Sequence, residues 1–179
     1  TDELCEFLII SNAIERYPVK VSEAESAANA FMKGLPVEYC TDNKHIRSHL
    51  AALEVASLIG DIDTPRKVQN IHESLGHDVI ERGRPGVFRN FEHAARNTGY
   101  QYVHPNDILS VLNEWCIKEF DDMFMKHVIY ECIHPFSDGN GRSGRILLAA
   151  DLDFDLLRLN NLIGNSYIQR LVDYQENYT

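Results

Sequence analysis

The sequence is short of several things, and each scarcity excludes a class of protein. Only four of its 179 residues are cysteine (Cys5, Cys40, Cys116 and Cys132), and no two form a CxxC pair. That spacing supports neither a zinc site nor a disulfide framework, so a reducing cytoplasm is the expected location. No apolar run approaches the length of a bilayer span. The best early stretch, Leu4 to Ile10, is interrupted by Glu6 and lacks a basic flank, so neither membrane association nor a signal peptide is expected. Basic residues are few, 17 against 27 acidic, giving a formal net charge of -10. A protein that coats nucleic acid needs Lys and Arg to replace phosphate counterions, so no nucleic-acid partner is expected. A few local cations can still serve a small anionic ligand within an acidic whole, and the expected macromolecular partner is another protein. Repeats and low-complexity segments are also missing, and the length suits one domain, residues 1–179.

What the chain does have is helical periodicity. Leu4 through Ile14 is apolar-rich with acidic residues in its first turn, and Pro18 limits its extension. A second helix is expected from about Ser22, with Ser22 and Glu25 as a capping box, to Lys33 before Gly34. Ile46, Leu50, Leu53 and Ser57 repeat at helical spacing up to Gly60, and Thr64-Pro65 opens another helix through Ile71 and Leu75. Residues 83–103 break the pattern with Gly83, Pro85, Gly86 and Gly99. Short β-prone pieces at Val87-Phe88 and Tyr100-Val103 predict a small hairpin flap there. Helices resume through Ile108 to Trp115, in a buried stretch from Met123 to Ile133, from Arg145 to Ala150, and around Tyr167 to Val172. The expected fold is all-α, a helical bundle with a central buried helix and one small β-hairpin.

The chemistry is concentrated in His134-Pro135-Phe136-Ser137-Asp138-Gly139-Asn140-Gly141-Arg142-Ser143-Gly144-Arg145. Two glycines around Asn140 permit a sharp turn and close approach of a ligand to backbone N–H groups. A helix starting near Gly141 would aim its unpaired N–H groups and positive dipole end at the same spot. Arg142 and Arg145, three apart, project from one helical face, and guanidinium forks match phosphate oxygens. Asp138 makes sense beside phosphates if a Mg²⁺ ion lies between them. His134, at the end of the buried helix, is mostly neutral at cell pH and able to take a proton from an incoming hydroxyl. Singly, each element is commonly structural: a helix-end histidine, a Gly-Asn-Gly turn, an arginine pair on a solvated face. Their conjunction within twelve residues is not.

This segment resembles the motif HPFx[DE]GNGRxxR of the Fic (filamentation induced by cAMP) family at every constrained position. The likeness spans about residues 65–160. It implies the Fic fold and a protein adenylyltransferase that moves AMP from ATP, with Mg²⁺, onto a Ser, Thr or Tyr hydroxyl of a target protein. By the same likeness His134 is the general base, Phe136 anchors the loop, and Asp138 holds the metal. Gly139, Asn140, Gly141, Arg142 and Arg145 would bind the nucleotide. Gly86-Val87-Phe88-Arg89 is similar to the start of the family's target-binding flap, which makes Phe88 and Arg89 candidates for that role. A de-AMPylase using the same site, and a catalytically silent nucleotide-binding module, are the alternatives. The loop reads phosphates rather than the base, so UTP or CDP-choline stay open as donors.

A second family motif, [ST]xxxE[GN], carries an inhibitory Glu that pairs with the second motif arginine. Ser11 and Glu15 fit that spacing on the N-terminal helix, residues 1–17, although Arg16 departs from the usual Gly or Asn. The likeness is therefore to the subgroup with an N-terminal inhibitory helix, whose members often self-associate, so a homodimer is an open expectation. Among other histidines, His45 and His49 lie one turn apart without a completing ligand and read as surface or capping residues. His72, His77, His93 and His104 show no grouping.

Overall fold

The computed structural model describes residues 1–177 as ten α-helices and no paired strands. In chain order they are α1 (Asp2–Ile14), α2 (Val21–Met32), α3 (Val37–Cys40), α4 (Lys44–Leu58), α5 (Pro65–Ser74), α6 (Ile108–Ile117), α7 (Met123–Ile133), α8 (Asn140–Asp151), α9 (Leu156–Ile163) and α10 (Tyr167–Asn177). A single 3₁₀ turn, Pro105–Asp107, precedes α6. Among the described residues, no helix is long and apolar enough to cross a membrane.

Side-chain caps explain several of the starts. Asn43 accepts from the N–H groups of His45 and Ile46, Thr64 from Lys67, Asp122 from Phe124 and Met125, and Asp155 from Arg158. Each satisfies donors that the first helical turn leaves open. The Ser22–Glu25 capping box does not form. The α2 N-cap is Lys20, without a side-chain cap bond. Helices α3 and α9 lie outside the segments that periodicity marks. The first is a single turn, and Asp153 and Phe154, both at positive φ, make a tight bend before the second.

Burial centres on α7 and α8. In α8 every residue from Arg142 to Ala149 is buried, and the helix packs against α4, α5, α7 and α9. The expected central helix α7 thus shares the middle of the bundle with its successor. On α1, Leu4, Phe7, Leu8 and Ser11 are buried at helical spacing, and α2 meets that helix with Ala24, Ala27 and Ala28. These small residues let the two backbones approach closely.

The end of α1 positions the site. Glu15 is its C-cap, the Arg16 N–H donates to the Ala13 carbonyl at 3.0 Å, and the Tyr17 N–H donates to the Asn12 carbonyl at 2.9 Å. This pair of bonds is a Schellman stop, whose C′ position needs a left-handed backbone. Arg16 occupies it at φ 63°. The Gly or Asn of the motif that Ser11 and Glu15 resemble suits that geometry, since a Cβ is strained in this region.

Residues 83–103 do not form the expected hairpin. They contain one isolated antiparallel bridge of their own, Ala94 to Gln101, while Phe88 bridges instead to Phe136. The reason lies in the next residue: the Arg89 N–H donates to the Pro135 carbonyl at 2.9 Å, so this arm pairs with the His134–Gly139 loop rather than with its own return.

Arg16→Gly is expected to stabilise the fold by about 1 kcal/mol, because it removes left-handed strain at an exposed position. A urea midpoint at or below that of the parent would contradict this account.

Candidate active site

His134 ends α7 with a left-handed backbone, φ 52°, which turns the chain sharply into the loop. Pro135 and Phe136 are buried, and the Phe136 ring stacks on His72 with centroids 3.7 Å apart and planes within 8°. Gly139, at φ 77°, is the N-cap of α8, and a Cβ there would meet Ile80 at 2.6 Å. Only glycine fits both demands. Gly139 has no side chain to cap α8, so the N–H groups of Asn140 and Gly141 stay available to an anion at the positive end of the helix dipole.

Several side chains are committed to the loop itself. Asn140 accepts from the Phe136 N–H at 2.9 Å and donates to the Phe136 carbonyl at 2.8 Å. Its amide is a staple across the loop. The Gly139 N–H likewise donates to Asp138 Oδ1 at 2.9 Å. Asp138 Oδ2 accepts from the Glu81 N–H at 2.9 Å, and Arg142 Nη2 reaches Oδ1 at 3.3 Å. Arg142 is buried, donates to the Val79 carbonyl at 3.2 Å, and has an Nε without a partner.

Arg89 is committed more fully. It is buried, and its guanidinium donates to the carbonyls of His134 at 2.6 Å, Ile133 at 3.2 Å and Phe91 at 2.8 Å, and also to Val103. An unpaired buried cation would be costly, and the α7 C-terminus offers the carbonyls that settle it. Arg89 therefore fixes the loop instead of meeting a target. Phe88 packs against Phe136, with centroids 5.5 Å apart.

Ser11 and Glu15 come from the opposite end of the sequence to meet Arg145. Arg145 Nη2 donates to Glu15 Oε1 at 2.6 Å, and its Nε donates to Ser11 Oγ at 2.8 Å. Arg145 is 1% exposed, so these partners are what permits its burial. The Glu15 carboxylate lies directly on the first turn of α8: a Cβ on Gly141 would stand 2.6 Å from Oε1. Burial opposes ionisation of Glu15, but Arg145, helped by Arg142, outweighs it and holds the carboxyl below its usual range. His49 extends the network. Its Nδ1 donates to the His45 carbonyl at 2.8 Å, which leaves Nε2 to accept from Ser11 Oγ at 2.7 Å. The reading of His49 as a surface or capping residue is thus corrected: it is fully buried.

His72 was likewise illegible as part of the site. It donates from Nε2 to the Asp138 carbonyl at 2.7 Å and accepts at Nδ1 from the Gly86 N–H at 2.8 Å. One imidazole thereby clips helix α5 to both the loop and the 83–103 segment. Local sequence could not reveal it, because its partners lie 66 and 14 residues away. Glu131 is also buried, with Oε1 unpartnered. Desolvation pushes its carboxyl up to about 7, against the pull of Arg145 and with the push of Glu15.

His134 itself has a buried, unpartnered Nδ1. Desolvation first, then His93 and Arg89, press its pKa down to about 3, so the imidazole is neutral across the physiological range. Among the described residues, no cluster of three or more His, Cys, Asp or Glu is placed to hold a metal. Asp138 is a lone carboxylate beside the cradle, and its side chain is 23% exposed. What the arrangement offers is a neutral base, a carboxylate, two guanidinium groups and an open helix N-terminus, with a protein carboxylate already lying in the anion position.

Buried neutral histidines set the pH response. His49 and His72 are pushed down to about 4, and His127 to about 3, in each case mainly by burial, as is His134. Unfolded, each takes up a proton near 6.5. Between those values the unfolded chain holds more protons, so stability falls as pH drops below about 6.5. Glu131 works oppositely: its folded value exceeds its unfolded one, so its contribution is present at low pH and is lost as pH rises through about 7. The histidines outnumber it, and the urea midpoint is expected to fall from pH 7 to pH 5. A midpoint that rises over that interval would refute the neutral histidines, and Glu131→Gln, which removes the opposing contribution, should steepen the fall between pH 7 and pH 5.

Comparison with known proteins comes from three directions. The sequence profile of the Fic/DOC family matches residues 62–152. A probable protein adenylyltransferase of Aquifex aeolicus is 40% identical over 80 residues, which cover 42% of this chain and 25% of that protein. The crystal structure of a Fic family protein from Desulfovibrio desulfuricans superposes with a TM-score of 0.64 at 20% identity, covering 99% of this chain and 55% of that one. The chain therefore spans about a quarter of the curated relative and about half of the solved one.

Proposed function

The chain belongs to the Fic/DOC family, and on that premise we propose that it is a protein adenylyltransferase. It moves AMP from ATP to a Ser, Thr or Tyr hydroxyl of a target protein. The observation that carries this reading is the Glu15 carboxylate resting on the first turn of α8 and paired with Arg145: the pocket is built for an anion and is held by one.

In the proposed reaction the neutral His134 imidazole takes the proton of the target hydroxyl. The freed oxygen attacks the α-phosphorus, the bond to the bridging oxygen breaks, and pyrophosphate leaves. The N–H groups of Asn140 and Gly141 and the guanidinium groups of Arg142 and Arg145 orient the phosphates, which supplies positioning and electrostatic stabilisation. Asp138 suits Mg²⁺, which takes few protein carboxylates and fills its shell with phosphate oxygens and water. After three internal bonds that carboxylate keeps free lone pairs and some exposure. The bound ion would neutralise charge on the departing pyrophosphate. Target binding to the 83–103 segment would rest on its backbone, with Phe88 as a packing residue.

Glu15 acts as a brake. While it holds Arg145, that guanidinium cannot serve a triphosphate, so the active state carries the cost of parting them. On this reading the chain falls in the subgroup with an N-terminal inhibitory helix. A second reading follows from the same contact. An ionised Glu15 beside the phosphate site could hold a water that removes AMP from a modified target.

With labelled ATP, Glu15→Gly is expected to raise self-labelling on the order of tenfold or more, and adding His134→Ala should abolish it. Equal labelling of parent and Glu15→Gly would remove the brake. Negligible labelling in both, with AMP released from a modified target by the parent, would favour the second reading. ATP binding without either activity would leave a nucleotide-binding module.

A further inference from the structure

We propose that Tyr102 is the positioning residue for the His134 imidazole, held in register by Gln175 of α10. The proposal rests on the reading of His134 as general base. General bases are ordinarily oriented by a hydrogen bond to the ring nitrogen that does not react. At His134 that bond is weak, since its buried Nδ1 meets the Glu131 main chain without full hydrogen-bond geometry. Its ring is instead fixed by faces. Tyr102 lies parallel to it, with centroids 3.9 Å apart and planes within 4°. His93 lies on the same aromatic cluster at 5.2 Å and 28° from His134, and at 5.4 Å from Tyr102.

Tyr102 is itself tied down. Its N–H donates to the His93 carbonyl at 3.0 Å. Its hydroxyl bonds the Gln175 side chain, which also accepts from Thr98 Oγ1 at 2.9 Å. Arg89 ties the two partners of the stack together, donating to the His134 carbonyl and to Val103, the residue after Tyr102. A helix at the far end of the chain thereby sets the plane of the proposed base.

The stack does two things for a proton acceptor. It shields the neutral ring from water, which keeps the imidazole unprotonated until a hydroxyl arrives. Once the proton is taken, the cation lies on the negative face of a phenol ring, an arrangement that favours it electrostatically. The other charged or titratable groups facing His134 are His93 and Arg89, which oppose protonation, and Asp138, which favours it.

The test uses the whole chain carrying Glu15→Gly, with Tyr102→Leu or Tyr102→Phe added. Tyr102→Leu is expected to lower the labelling rate at saturating ATP on the order of 10- to 100-fold, the scale of a slightly misplaced reacting group. The ATP concentration for half-maximal labelling should stay near the parent value, and Tyr102→Phe, which keeps the stacked ring but loses the Gln175 bond, should recover only part of the loss. NMR of the histidine rings gives an independent readout. The ring-current shift of His134 should vanish in Tyr102→Leu. Its imidazole, silent between pH 5.5 and 8 in the parent, should begin to titrate there. A Leu variant that labels at the parent rate, or that raises only the ATP requirement, overturns the proposal, as does an unmoved His134 resonance. If Tyr102→Leu does not fold, Gln175→Ala carries the same test: a slower rate at unaltered ATP requirement supports the tether, and an unaltered rate overturns it. Failure of the base reading looks different. His134→Ala would then label like its parent, while the resonance shift on Tyr102→Leu would still report the stack.

Discussion

A guanidinium that is cut off from water must be answered by protein, and Arg145 imposes that condition on the whole bundle. Its hydrogen-bond partners do not come from α8 or α7, although the buried Glu131 carboxyl of α7 lies close enough to feel its charge. They come from α1, 130 and 134 residues away in sequence. For Ser11 and Glu15 to arrive together, α1 must dock with its last turn over the start of α8 and must stop there. The Schellman geometry at Arg16, the alanine face of α2 and the His49 acceptor behind Ser11 all serve that one placement. Gly141 completes it by leaving room for the carboxylate.

The loop before α8 follows a second rule: polar side chains that look like ligand groups are used first to hold the backbone. Asn140 staples Phe136, the Gly139 N–H restrains Asp138, and Arg89 gathers carbonyls at the α7 terminus. A phosphate site of the proposed kind, made of backbone N–H groups, demands this, because such donors act only where their peptide planes point. Rigidity of the main chain is therefore the contribution of Asn140 and Arg89, and the charged contacts are left to Arg142, Arg145 and Asp138.

Much of this was legible in sequence. The helices around Leu4, Ile46, Ile108 and Met123 follow from periodicity, and the loop from the density of chemistry between His134 and Arg145. The Ser11–Glu15 spacing pointed to Arg145 because both ends belong to a recurrent pattern. What escaped was anything decided by tertiary geometry. His49, His72 and Tyr102 have no local signature, since each acts on a partner brought close only by packing. The 83–103 segment carries genuine β-prone pieces. Its pairing was lost to a competitor, the carbonyl of Pro135, that sequence could not place beside Arg89. The buried Glu131 was equally silent: on a helix that is apolar on nearly every side, a lone carboxylate reads as a surface residue.

The Glu15 carboxylate sits on a side chain that is 25% exposed, while Ser11 beneath it is wholly enclosed. On the proposed reading, the tethered anion swings away while Ser11 keeps the helix docked. A group tethered this way competes with dissolved anions at a fixed effective concentration, whatever the solution contains. Occupancy of the cradle then becomes a comparison between that constant and the ambient polyphosphate level. On the proposed reading, the fold would act in that sense as a threshold device for nucleotide supply.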